Sequence, residues 1–160
     1  MPNIKRVLLE GYCYHLITRG NQKQKVFRCK EDYLKYLALL KRFKRKYKFN
    51  LYAYCLMPNH VHMLGETEET PQLSRFMHDL SMTYTRYFNS KYKEAGHLWQ
   101  SRFKNKVICK DKYLIDCMNY IEMNPLRANL VNSAVEYEWS SYKSRAFDKK
   151  DRLIDILTLI

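Results

Sequence analysis

Two hydrophobic periods alternate along this chain and spell out an order of elements. Residues 11–18, Gly-Tyr-Cys-Tyr-His-Leu-Ile-Thr, are rich in strand formers, and the turn residues Arg19-Gly20-Asn21 close them. In residues 31–47, Tyr33, Leu34, Leu37, Leu40 and Phe43 recur near helical spacing with no Gly or Pro between them, which predicts a first helix. Residues 51–57 and 60–64 read as two strands. Only Pro58-Asn59 separates them, too little for a crossover, so they pair antiparallel. Thr70-Pro71 opens a second helix, with Leu73, Phe76, Met77, Leu80, Tyr84, Tyr87 and Phe88 three and four apart, fraying over 89–96. Residues 104–109 predict a fourth strand, and 111–123 a third helix that Pro125 ends. The order βαββαβ plus a helix predicts an α+β class: a ferredoxin-like, RRM-like antiparallel sheet with helices packed on one face.

Composition bounds the possibilities. A chain of 160 residues, 46% hydrophobic, suits one domain with its own core, assigned here to 1–145. Residues 146–160 read as an amphipathic extension whose partner is missing or intermolecular, short enough to suggest a truncated end. No apolar run approaches the roughly 20 residues that span a bilayer, and the start, Met1-Pro2-Asn3-Ile4-Lys5-Arg6, carries no signal-peptide pattern. A cytoplasmic protein with no membrane partner is expected. Cys13, Cys29, Cys55, Cys109 and Cys117 form no C-x-x-C, which argues against a disulfide framework and a zinc ribbon.

Charge narrows the partner. Against 16 Asp and Glu stand 29 Lys and Arg, a formal net charge of +13 that attracts polyanions. The bases cluster at Lys41, Arg42, Lys44 and Arg45, and again at Arg102, Lys104 and Lys106, and they are interleaved with 14 tyrosines. A solvated helix face would explain one such cluster. The spread along the chain favours nucleic acid over an anionic membrane, which would ask for one amphipathic helix. Gly96-His97-Leu98-Trp99-Gln100-Ser101-Arg102-Phe103 could stack single-stranded bases, or Trp99 could simply anchor a loop.

Candidate chemistry sits at two places. In His60-Val61-His62, strand alternation puts both imidazoles on one face, where a pair can hold one metal ion with other ligands. On spacing alone such a pair is more often a satisfied polar pair than a metal site. No neighbouring Cys, Asp or Glu completes a structural zinc site, and an open site is what a catalytic metal needs. Tyr120 and Asn124, four apart on the third helix, share a face. Either has an ordinary alternative, packing for the tyrosine and helix termination for an Asn before Pro.

Taken in order, Tyr14-His15-Leu16-Ile17-Thr18-Arg19-Gly20-Asn21, Ala53-Tyr54-Cys55-Leu56-Met57-Pro58-Asn59-His60-Val61-His62, residues 96–103, Tyr120-Ile121-Glu122-Met123-Asn124-Pro125-Leu126-Arg127-Ala128 and Trp139-Ser140-Ser141-Tyr142 resemble the HUH single-tyrosine transposases, and within them the REP-associated tyrosine transposases. The resemblance covers most of the chain. It implies a metal-dependent endonuclease and strand transferase on single-stranded DNA with hairpins, working through a 5′-phosphotyrosine intermediate. Tyr120 matches the nucleophile, His60 and His62 the metal histidines, Asn124 the additional polar ligand, and Mg2+ or Mn2+ the cofactor. Arg19, Asn21, Lys41, Arg42, Lys44, Arg45, Trp99, Arg102, Lys104 and Lys106 are the candidate DNA contacts. Two other classes compete: a non-cutting binder of DNA or RNA hairpins descended from a transposase, and an initiator relaxase, which the absence of a helicase segment and of a second nearby catalytic tyrosine disfavours. Monomer and homodimer, with Tyr120 serving its own or a partner's site, are both open at this point.

Overall fold

A computed structural model describes residues 8–9, 11–147 and 153–157. Four strands, β1 (Cys13–Arg19), β2 (Asn50–Met57), β3 (His60–Glu66) and β4 (Lys104–Ile108), form one sheet in the order β2-β3-β1-β4, every neighbouring pair antiparallel. Helices α1 (Lys30–Lys46) and α2 (Thr70–Tyr92) cross over between strands, and α3 (Lys112–Glu122) follows β4. This is the ferredoxin-like arrangement that the pattern predicts. Element ends differ from the sequence reading by one or two residues, except that α2 stays helical to Tyr92 where fraying from 89 is expected. Helix α3 ends before Pro125 as read, and the addition is a short α4 (Asn124–Arg127) that Pro125 helps to start, where a missing N–H costs nothing. A last helix, α5, spans Tyr142–Ala146.

Strand alternation divides the core in two. Tyr14, Leu16, Leu51, Leu56, Val61 and Met63 meet Leu40, Phe43, Phe76, Leu80 and Tyr84 of α1 and α2 on one face. Cys13, Ala53, Cys55, Met57 and Leu64 meet Leu114, Cys117, Met118 and Ile121 of α3 on the other. The crossover helices thus share one face as expected, and the tyrosine-bearing helix covers the second. Local chemistry favours these helices: α1 starts with Glu31 and Asp32 and ends with Lys44, Arg45 and Lys46, matching its dipole. The Asp111 carboxylate accepts from the Tyr113 N–H at 2.8 Å to cap α3.

Two buried carboxylates tie elements together. Asp32 is fully buried and accepts from the Arg28 N–H, the Tyr87 and Tyr92 hydroxyls and the Lys91 ammonium, joining α1 to α2. Burial alone would raise its pKa, and these donors hold it at about 2. Glu122, also fully buried, accepts from the Ser141 hydroxyl at 2.7 Å and from Arg145 through Nε and Nη2. Ser141 in turn bonds both ways with Tyr54, and Ser140 bridges Cys55, so the Trp139–Tyr142 motif is the strap between β2 and α3. Trp139 stacks on Tyr33 at 4.6 Å.

The described part of the C-terminal extension folds back onto the domain. Leu153 is buried in the α1/α2 core, and Asp155 exchanges hydrogen bonds with Leu51 and pairs with Lys44 at 2.7 Å. Its partner is therefore intramolecular over 153–157; residues 148–152 and 158–160 of the expected amphipathic segment lie outside the described residues. No helix among the described residues is long and apolar enough to cross a membrane.

Gly65 has no room for a side chain: the Phe49 ring, itself stacked on Phe76 at 4.3 Å, presses on β3 there. A Cβ there would sit 2.2 Å from the Asn50 carbonyl oxygen and 2.4 Å from the Phe49 ring. Gly65→Ala is expected to lower stability by about 3 kcal/mol in a urea titration, because backbone and a stacked ring must both move. An unchanged midpoint would contradict this packing.

Candidate active site on the tyrosine-helix face

Register brings the candidate residues together. In the antiparallel β1–β3 pair, Arg19 faces His60 and Ile17 faces His62, so His15, one pleat along, lies diagonal to His62 on the same side. The His15 Nε2 and His62 Nδ1 atoms are 2.9 Å apart and the two rings stack at 5.1 Å. His60 lies edge-on to His62 at 4.8 Å, and its Nδ1 bonds the Asn59 side-chain oxygen at 2.6 Å. Both Nδ1 atoms are thus engaged, which leaves the Nε2 edges of His60 and His62 as the ligating positions.

The environment keeps these rings neutral. Desolvation, joined by the Lys106 charge, lowers His15 to about 4. Desolvation and Arg19 lower His60 to about 4. Desolvation, the other two histidines, Arg19 and Arg127 lower His62 to about 3. Neutral imidazole is the form that ligates a metal. Among the described residues no three His, Cys, Asp or Glu side chains enclose a common point, so any cation held here would need oxygen ligands as well.

Helix α3 carries Tyr120 over this patch. Its ring lies 6.0 Å from that of His15 and 6.3 Å from that of His62, both edge-on, and it is half exposed at 49%. All of these groups belong to one chain. Tyr113, at the start of the same helix, instead packs beside the Lys112 ammonium. Asn124 donates from its amide nitrogen to the Tyr120 and Ile121 carbonyls, 3.2 Å each, which leaves its amide oxygen one helical turn from Tyr120.

The candidate DNA contacts fall into separate groups. Arg19, Lys104 and Lys106 share the histidine side of the sheet, since Lys106 faces His15 and Lys104 faces Ile17. Lys41, Arg42, Lys44 and Arg45 ride on α1, across the sheet from the histidines. Lys44 there is committed to Asp155. Asn21 ties to the 96–103 loop through its N–H on the Leu98 carbonyl. Trp99 is half-buried against Tyr36 and Tyr84 and anchors that loop, the more ordinary of its two readings, yet it also lines a groove of about 820 Å³ between the loop and α2, with Met82, Arg102 and Phe103.

Two residues at the site stand in the quoted motifs but have no role in the sequence reading. His15 becomes visible only through the β1–β3 register. Arg127 places its guanidinium 4.1 Å above the Tyr120 ring, and its position seven residues on, two helical turns, was the available signal.

The family described as IS200-like transposase matches residues 9–124. A Haemophilus influenzae protein named as a REP-associated tyrosine transposase is 27% identical over 157 residues, covering 89% of this chain and 86% of its own. Among solved structures, a REP-associated tyrosine transposase bound to a REP hairpin matches with a TM-score of 0.69 at 16% identity, over 100% of this chain and 94% of that one. A transposase from Deinococcus radiodurans R1 matches with a TM-score of 0.50 at 22% identity, over 75% of this chain and 95% of its own. At these identities the two structural matches speak to the fold.

The three depressed histidines make stability depend on pH in a stated direction. The unfolded chain takes up protons near pH 6.5, whereas the folded rings resist them down to about 4, 4 and 3. Their contribution is complete above pH 6.5 and is lost as pH falls from there down through the folded values. The melting temperature is therefore expected to fall between pH 7 and pH 5, above the carboxylate range. His15→Gln with His62→Gln should flatten that slope; an equally steep slope in the double variant would contradict the assignment.

Proposed function

The chain belongs to the IS200-like transposase family, and from that premise we propose that it cuts and rejoins single-stranded DNA beside hairpins with Tyr120 as nucleophile. Membership implies DNA binding. The observation that carries the finer reading is the meeting, within one chain, of a half-exposed Tyr120 ring with His62 and His15 on a side of the sheet lined by Arg19, Lys104 and Lys106. The likeness to a transposase bound to a REP hairpin supports a hairpin as the recognised element.

The donor set fits a divalent cation: two neutral imidazoles with Nδ1 engaged and Nε2 presented, and an amide oxygen on Asn124. His60, His62 and Asn124 would hold Mg2+ or Mn2+. Such an ion, when bound, neutralises phosphate oxygens and orients the scissile bond. The chain's own residues do the rest. Arg19, Lys104 and Lys106 draw the strand across the sheet through its phosphates. His15 and Asn59 hold the two histidines in one orientation. The Tyr120 hydroxyl attacks phosphorus, the Oη–P bond forms, the P–O3′ bond breaks, and the phenolic proton is balanced by the one gained at the 3′ oxygen. A later 3′-OH reverses these steps on the phosphotyrosine and rejoins the strands without a nucleotide cofactor.

Tyr120→Phe removes one oxygen and keeps the ring. With labelled single-stranded DNA from the flanks of its own gene and Mn2+, the wild type is expected to give a covalent adduct on a denaturing gel. Tyr120→Phe should give none, while its hairpin affinity, set by phosphate contacts, stays within about 2-fold. An adduct that persists would assign the nucleophile elsewhere, with Tyr113 the next to test. No adduct in the wild type would favour the non-cutting hairpin binder.

A further inference from the structure

Arg127 is a cation seated on the Tyr120 ring, and nothing so far gives it a role. Its guanidinium carbon lies 4.1 Å above the centre of the Tyr120 ring, and Nη2 donates to the Tyr120 carbonyl. That carbonyl already receives the Asn124 amide at 3.2 Å, so Arg127 duplicates a cap that the helix end has from another side chain. Arg145 and Lys91 face buried carboxylates, whereas among the ion pairs of the described residues none involves Arg127. It is exposed, and its charge is nonetheless felt at His62. A guanidinium has five donors in a rigid fork; one is spent on the carbonyl, and the others remain for an oxyanion. Stacking on the tyrosine fixes where that fork points.

We propose that Arg127 is a catalytic residue that grips a non-bridging oxygen of the scissile phosphate beside the Tyr120 hydroxyl. There it offsets the negative charge that builds as the Oη–P bond forms and the P–O3′ bond breaks, with the phenolic proton finally balanced at the 3′ oxygen. The proposal rests on the strand-cleavage reading above. Its chemistry is a charge-assisted hydrogen bond, the kind of contact that strengthens toward a transition state.

A neutral substrate separates this role from that of a helix cap. The cleavage position is mapped with the wild type, and a second strand is made with a methylphosphonate at that position, which lacks one non-bridging oxygen and its charge. Arg127→Ala is expected to slow adduct formation about 100-fold on the ordinary strand. Most of that loss should disappear on the methylphosphonate strand, where there is no charge to offset. Arg127→Lys, which keeps the charge and a donor for the carbonyl, should recover part of the rate on the ordinary strand and guards against a misfolded alanine variant. An equal loss on both strands, or no loss on the ordinary one, would overturn the proposal while leaving the cleavage reading intact. No wild-type adduct on the ordinary strand would overturn both.

Discussion

The site depends on a buried carboxylate. Glu122 is fully enclosed and held by Ser141 and Arg145, and through them the end of α3 is locked to β2 and to the C-terminal strap. A charge so enclosed is tolerated only with its partners in place, which makes the position of α3 close to all-or-none. Residues two apart on a helix point to nearly opposite sides. With Glu122 facing the strap, Tyr120 is turned toward the histidines and solvent. The Tyr120 ring is thus aimed by an ion pair that lies outside the histidine cluster.

The two sheet faces divide the work. One face is covered by α1 and α2 and supplies most of the packing, including the Phe49–Phe76 stack over Gly65 and the Asp32 network. The other is only partly covered by α3, and along β1, β3 and β4 it presents His15, His60, His62, Arg19, Lys104 and Lys106. Burial depresses all three histidines; Arg19 adds to it at His60 and His62 and Lys106 at His15, since positive neighbours favour neutral imidazole. The same positive charges would attract a phosphate backbone. On the proposed reading, one set of residues would both draw in a strand and keep the histidines neutral.

The sequence made much of this legible. Helical and strand periods located every principal element, and the two-residue spacing of His60 and His62 put both rings on one side because pleating requires it. Two kinds of information were out of reach. Register, which sets His15 against His62 and Lys106 against His15, depends on which strands become neighbours. The partition of basic residues also depends on topology: Lys41, Arg42 and Arg45 look like Lys104 and Lys106 in sequence, yet α1 lies across the sheet from the histidines. Helix α3 does end just before Pro125, as read, but the sequence did not show that the same proline also starts the next helix. Trp139-Ser140-Ser141-Tyr142 carried a family likeness without showing that its work is structural.

The central claim is that one chain assembles a complete site, with its own Tyr120 beside its own histidines. Mixing two inactive variants tests it most directly: Tyr120→Phe, which keeps the histidines, with the double variant His60→Ala and His62→Ala, which keeps the tyrosine. The account predicts no covalent DNA adduct in the mixture by denaturing gel and intact-mass measurement, because neither chain holds both halves. Adduct appearing on the histidine-variant chain only when its partner is added would contradict it, and would show Tyr120 acting in the site of another subunit.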